Sequence, residues 1–236
     1  MQNPNNVRQN RLLNGLSADD RSRVQSHLQK VPLVRGRVLH PPGEPIEQVY
    51  FPESGMISML TVMQSGELIE TAIIGSEGIA GGWVAIDGAN ANTQTTVQMD
   101  GSAWQIPATT FVEAYNASDR FRSAMNEYQG IILFQAQQSA GCHAIHSVES
   151  RLCRWLLQAE DLMGSDEIDL TQEFLSHMLG VQRTSVSLAA HALQKSGLIH
   201  YSRGKIKIAD REGLEESACE CYAVIRQRMD EAIPPK

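Results

Sequence analysis

The sequence predicts an α+β chain in three parts. A strand-rich N-terminal portion is followed by a long helix, and then by a C-terminal helix pair closed with a β-hairpin. Three observations predict this. Apolar residues recur in short strand-like runs up to about Ile106, and at helical spacing from about Ser118. After Leu170 two short helical patterns lead into a stretch of period two. Finally, the window from Phe174 to Ala209 contains no Asp or Glu but holds Arg183, Lys195, Arg203, Lys205 and Lys207, in a chain whose net charge is -7.

At 236 residues, the chain can bury the core of one large or two modest domains. With 42% hydrophobic and 20% charged residues it has the composition of a soluble globular protein. The polar, Asn-rich stretch Met1 to Arg11 is no secretory signal. No apolar run approaches the roughly 18–20 residues of a membrane span, so no membrane partner is expected. Cys142, Cys153, Cys219 and Cys221 include no C-x-x-C pair and show no zinc-ligand spacing. A reduced, cytoplasmic protein is the plain expectation. Charge is uneven: Val38 to Asp119 holds ten acids and no Lys or Arg. Any contact with a polyanion must therefore be local.

In chain order, "MISMLTV", "ELIETAII" and "TQTTVQM" read as short strands separated by "QSGE" and "DG" turns. Short strands at close spacing argue for a sandwich or a closed roll. From Ser118, the residues Phe121, Met125, Tyr128, Ile132 and Phe134 form a helical stripe. Val148, Leu152, Trp155, Leu156 and Ala159 form a second, with Ser147 as its N-cap. Between Tyr128 and Ser147 the first helix has few charges on any face. It packs on both sides, either within the chain or against a second copy. "MGSDEID" reads as a charged linker opening the last domain.

Thr171 is the expected N-cap of the next helix, with Gln172 and Glu173 in its first turn. Phe174, Leu175, Met178 and Leu179 fall at helical spacing, and Gly180 ends the helix in a short turn with Val181. A second helix begins near Gln182 and buries Val186, Ala189, Ala190 and Leu193. Its other face offers Arg183, Thr184, Ser187, Leu188 and His191. Such a helix pair puts the N-terminal residues of the second helix at base edges in the major groove. Arg183 suits guanine O6 and N7, Thr184 or Ser187 a base or phosphate, and Leu188 a thymine methyl. "GLIHYSRGKIKIA" then reads as strand, turn, strand, with Ile206 and Ile208 on one face and Lys205 and Lys207 on the other. This is a basic wing aimed at phosphates. The DNA-contact set is Thr171, Gln172, Gln182, Arg183, Thr184, Ser185, Ser187, Leu188, Arg203 and Lys205.

This order of parts resembles the Crp/Fnr family of bacterial transcription regulators from about Leu12 to Tyr222. The most specific stretches are "LTQEFLSHMLGVQRTSVSLAAHALQKSGLIHYSRGKI" and "HSVESRLCRWLLQ", with "YFPESGMISML" and "IIGSEGIAGG" resembling roll strands and the start of the effector cassette. The resemblance implies an N-terminal double-stranded β-helix (a jelly-roll-like β-roll) over 1–117 and a dimerisation helix and hinge over 118–146. A winged helix-turn-helix over 147–236 completes it. It further implies a homodimer on a palindromic operator of double-stranded DNA, with RNA polymerase as a partner. Two departures stand out. Where the cyclic-AMP-responsive member has an Arg-Glu pair and a second Arg four residues later, this chain has Arg183, Thr184 and Leu188, so a different operator is expected. Where cyclic-nucleotide members neutralise the phosphate with Arg, this chain has Thr93. Glu77 matches the cassette glutamate, and amides around Gly75, Gly78, Gly81 and Gly82 offer an anion cradle. The candidate effector pocket is Gly75, Glu77, Gly78, Trp83 and Thr93, the effector being unknown and no cofactor or resident metal expected. An iron–sulfur oxygen sensor is not expected, because no cysteine precedes Cys142.

Cys142 and His146 are four residues apart on a helix, so a metal or redox switch is the sharper reading and thiol and imidazole packing the plainer one. Cys219 and Cys221 are expected on different faces of the last helix as buried thiols. Trp83 and Trp104 are core or pocket residues, and Trp155 is core. Enzymatic activity is not expected: no His lies between His40 and His143 to furnish a cupin metal site. No nucleophile elbow, P-loop or dinucleotide fingerprint occurs. The rival to a DNA-binding regulator is an effector-binding or protein-interaction module whose winged helix contacts a protein.

Overall fold

The computed structural model describes residues 10–88, 90–202 and 204–234. Two compact units emerge: one comprises residues 10–60, 72–133 and 228–234, the other 61–71 and 134–227.

The first unit opens with α1 (Arg11–Gly15) and α2 (Ala18–Gln25). Each starts at a side-chain cap: Asn10 Oδ1 accepts from Leu13 N–H, and Ser17 Oγ from Asp20 N–H. Strands β1 (Gln29–Leu33), β2 (Val38–His40), β3 (Gln48–Val62) and β4 (Leu68–Ile74) follow, then the short α3 (Val84–Asp87) and β5 (Gln94–Pro107). The sheet order is β1-β5-β3-β4, with β2 also on β5. The expected run of short strands is thus replaced by two antiparallel strands of 15 and 14 residues at the centre. The turn-like residues within them make bulges instead of ends. Pairing of β3 with β5 slips between Pro52, Ser54 and Met56. Gly55 adopts φ 85° there, and a Cβ on Gly101 would lie 2.2 Å from the Ser54 carbonyl oxygen. Only glycine permits the backbones that close approach.

Helix α4 (Ala108–Ala117) begins ten residues before the expected helical signal. Thr109, Thr110 and Val112 favour strand locally, and packing overrides them: Phe111 is fully buried, its ring 6.4 Å from Phe51 and 5.5 Å from Phe121. Burial of each such ring is worth about 1.5–3 kcal/mol. Ser118, in extended conformation, breaks the helix and caps the next, accepting from Phe121 N–H. That helix is α5 (Asp119–Ile145). Its expected stripe is buried at Phe121, Met125, Tyr128 and Ile132, whereas Phe134 is half-buried and Ile131 takes its place inside.

In the second unit, α6 (Val148–Met163) starts at the Ser147 cap and ends at Gly164 in left-handed conformation. Leu152, Trp155, Leu156 and Ala159 are fully buried. Trp155 donates its indole N–H to Glu70 at 2.9 Å and meets Phe174 edge-on. Next come β6 (Glu167–Asp169), α7 (Gln172–Leu179), α8 (Arg183–Lys195), β7 (Ile199–Ser202) and β8 (Lys205–Ile208), then α9 (Arg211–Ser217) and α10 (Cys221–Ala232). Arg211 ties α9 to α6 through Glu160 and Asp161. The expected linker contains β6, which pairs with β8 to make a three-stranded sheet of order β6-β8-β7. The pattern Glu167-Ile168-Asp169 does alternate, with Ile168 buried, but three residues are too few to outweigh the charge around them.

Candidate nucleic-acid interface

Helices α7 and α8 are built as the pattern of apolar residues requires. Thr171 caps α7 by accepting from Phe174 N–H, and Gly180 closes it at φ 59°. Helix α8 buries Val186, Ala189, Ala190 and Leu193. The residues left outside are Gln182, Arg183 and Thr184, with Ser185 and Ser187 half-buried. Leu188 is 71% exposed on the same face as Arg183 and Thr184. Arg183 Nε donates to Gln172 Oε1 at 3.4 Å, so the two expected contact residues meet. Ser187 Oγ donates to the Arg183 carbonyl and Thr171 Oγ1 is held by its cap, which leaves both less available than their types suggest.

The wing differs from expectation in its charge. Lys205 and Lys207 do project from the face opposite the buried Ile206 and Ile208. Arg203 lies outside the described residues. Strand β6 places Asp169 opposite Lys205 and Glu167 opposite Lys207. The Lys205 ammonium lies 3.5 Å from Asp169, and that of Lys207 3.6 Å from both Asp166 and Glu167. The island of positive charge read along the sequence is therefore shared with acids in space. These exposed pairs are each worth about 0–1 kcal/mol, so a phosphate can displace them. Strand pairing is the reason the sequence window misleads: the acids lie just outside it.

Within the candidate effector pocket, the loop around Glu77 and Gly78 packs closely on other parts of the protein. Glu77 is buried and accepts from Gly75 N–H at 2.7 Å; burial pushes its carboxyl above the usual range. A Cβ on Gly78 would lie 1.9 Å from the Tyr128 hydroxyl, and one on Gly82 2.3 Å from Gln129 Nε2. Asn10 Nδ2 donates to the Gly78 carbonyl. These glycines admit helix α5, and the packing accounts for them without a bound anion. Trp83 and Thr93 are half-buried beside α3 and at the start of β5. Trp104 donates to Glu53 and carries Lys30 over its ring.

Cys142 and His146 do meet further donors. Cys219 is not on the last helix but in the turn before it, and Cys221 is the first residue of α10. The Cys142 and Cys219 sulfurs are 3.5 Å apart, as are Cys221 Sγ and His146 Nδ1. The hydrogen bond between the first pair draws the Cys142 thiol well down and pushes that of Cys219 up. Local spacing could not reveal this group, because its halves are separated by 77 residues.

Comparison with known families matches residues 30–118 to the cyclic nucleotide-binding domain and residues 150–217 to the Crp-like helix-turn-helix domain. Together these span about two thirds of the chain. No curated protein matches the chain by sequence. Among solved structures, one resembling it is a putative transcriptional regulator of the Crp/Fnr family from Eubacterium rectale, with 20% identity, TM-score 0.71, and coverage of 87% of this chain and 96% of that one. FixK2 from Bradyrhizobium japonicum matches at 15% identity and TM-score 0.69, covering 81% and 98%. The c-di-GMP responsive global regulator CLP of Xanthomonas campestris matches at 16% and 0.68, covering 82% and 100%. At these identities the likeness is one of fold.

Proposed function

The chain belongs to the Crp/Fnr family, transcription regulators with a helix-turn-helix DNA-binding domain and not enzymes, and on that premise we propose that it acts as a cytoplasmic homodimer reading a palindromic operator without cyclic nucleotide. The observation that carries the DNA reading is the start of α8. Arg183, Thr184 and Leu188 stand exposed together on the first turns of a helix whose other face is wholly buried. In the proposed complex Arg183 reads a base, with Gln172 steadying its guanidinium. Gln182, Ser185 and Ser187 line the same edge, Thr171 sits at the α7 terminus near the backbone, and Lys205 with Arg203 meets phosphate.

The homodimer rests on α5. Asn126, Gly130, Leu133, Gln137, Ala140 and Ala144 are exposed on it at alternating spacings of four and three. The spacing is the one that two paired helices present to each other, and the row carries no charge, with Leu133, Ala140 and Ala144 as its apolar members. A dimer so formed sets half-sites about one helical turn apart, about 10–10.5 bp between centres. RNA polymerase is the further partner that the family implies.

Insensitivity to cyclic nucleotide is supported by Thr93 where the family places Arg, by the buried Glu77 turned onto its own loop, and by the packing of Gly78 on Tyr128. The test is selection of binding sites from random duplex DNA by the reduced protein, with and without cyclic AMP. A two-fold symmetric consensus in both arms is expected. Enrichment only with the nucleotide overturns the insensitivity, and no enrichment in either overturns operator reading and favours a protein partner.

A further inference from the structure

We propose that Cys142, His146, Cys219 and Cys221 form a tetrahedral site for one Zn²⁺ ion, joining the last turn of α5 to the turn between α9 and α10. This goes beyond the DNA-binding reading and does not depend on it.

The donor atoms carry the argument. Three thiol sulfurs and one imidazole nitrogen lie within 4.8 Å of one another. Zinc–sulfur and zinc–nitrogen bonds of about 2.3 and 2.0 Å place tetrahedral donors about 3.5–3.8 Å apart. The Cys142–Cys219 and Cys221–His146 separations of 3.5 Å are already at that edge length. A cubane iron–sulfur cluster, which binds each thiolate through a different iron, needs its donors farther apart. Three sulfurs and a nitrogen with no carboxylate among them make a soft, closed set, suited to zinc over magnesium or calcium.

The surroundings are those of a metal site as well. His146 turns Nε2 to the Glu220 carboxylate at 3.1 Å. With the proton on Nε2, Nδ1 is left as a lone pair facing the sulfurs, the orientation that a carboxylate gives a zinc-bound histidine. Gln138 Nε2 donates to Cys221 Sγ at 3.1 Å. On the other side, Arg151 and Arg154 are each only 4% exposed, and their Nε atoms have no hydrogen-bond partner among the described residues. Both guanidinium groups act electrostatically on Cys142. With all three cysteines bound as thiolates, the group and Zn²⁺ sum to one negative charge, which these buried cations face.

The test uses the full-length reduced protein, prepared with zinc, desalted and analysed for metal, with Cys219→Ser and Cys153→Ala beside it. Cys153 is buried outside the group. About one zinc per chain is expected in the wild type and in Cys153→Ala, and about a tenfold loss in Cys219→Ser. Replacement by Co²⁺ in the wild type adds a readout independent of any variant's folding: tetrahedral d–d bands with a sulfur-to-cobalt charge-transfer band. Wild-type protein with neither stoichiometric zinc nor the cobalt bands overturns the proposal. So does undiminished zinc in Cys219→Ser, or a metal-free Cys142–Cys219 disulfide as the form that accumulates.

Discussion

Asp169 stands directly opposite Lys205 in the β6–β8 ladder, its carboxylate 3.5 Å from the ammonium. The wing lysine therefore has a local partner that any phosphate must displace. Asp169→Asn is expected to tighten binding to operator and random DNA alike, about two- to fivefold at low salt, since exposed pairs are worth about 0–1 kcal/mol. Lys205→Ala is expected to weaken both equally and to lower the salt slope by about 1. Titrations at several salt concentrations measure both. An unchanged affinity in both variants would show that the wing stays off the phosphates.

Arg183 begins α8 and touches Gln172 across the helix pair. Arg183→Ala is expected to relax preference at one base pair per half-site, at a cost of about 1–3 kcal/mol on the operator and little on random DNA. Equal losses on the two DNAs, in a competition assay, would remove Arg183 as a base reader.

Leu133 is 52% exposed in the middle of the uncharged α5 row. Leu133→Asp puts a charge on each side of the proposed two-fold contact, and at least about a thirtyfold rise in dimer dissociation constant is expected. Sedimentation velocity reads it, with circular dichroism to show that the helices remain. A dimer of unchanged strength would place the interface elsewhere.

Gly78 has no room for a methyl group, since its Cβ would lie 1.9 Å from the Tyr128 hydroxyl. Gly78→Ala is expected to cost about 1–3 kcal/mol, lowering Tm by about 2–4 °C for each kcal/mol. Thermal unfolding followed by circular dichroism measures this. An unshifted Tm would mean that the loop has space, and would restore the case for an effector cradled by its amides.

The sequence by itself determined whatever depends on short-range periodicity. The α7 cap at Thr171, the buried stripe of α8, the Ser147 cap of α6 and the buried face of α5 through Tyr128 all follow from spacings of three and four residues. Period two placed Ile206 and Ile208 inward and Lys205 and Lys207 outward. Tertiary structure decided what depends on partners distant along the chain. The acids of β6 reach the wing only through pairing with β8, so a charge count along the sequence misjudged that surface. The glycines of the 75–82 loop read as an anion cradle along the sequence, and only the fold sets Tyr128 and Gln129 of α5 against Gly78 and Gly82. Helix α4 forms against local β-propensity because burying Phe111 outweighs it. Cys219 and Cys221 carry no ligand spacing relative to Cys142, and only the fold brings the three sulfurs to His146. A helix or strand repeats every few residues, so its sequence announces it. A charge pair, a packed loop or a ligand cluster is a coincidence of distant residues, and only the folded chain supplies it.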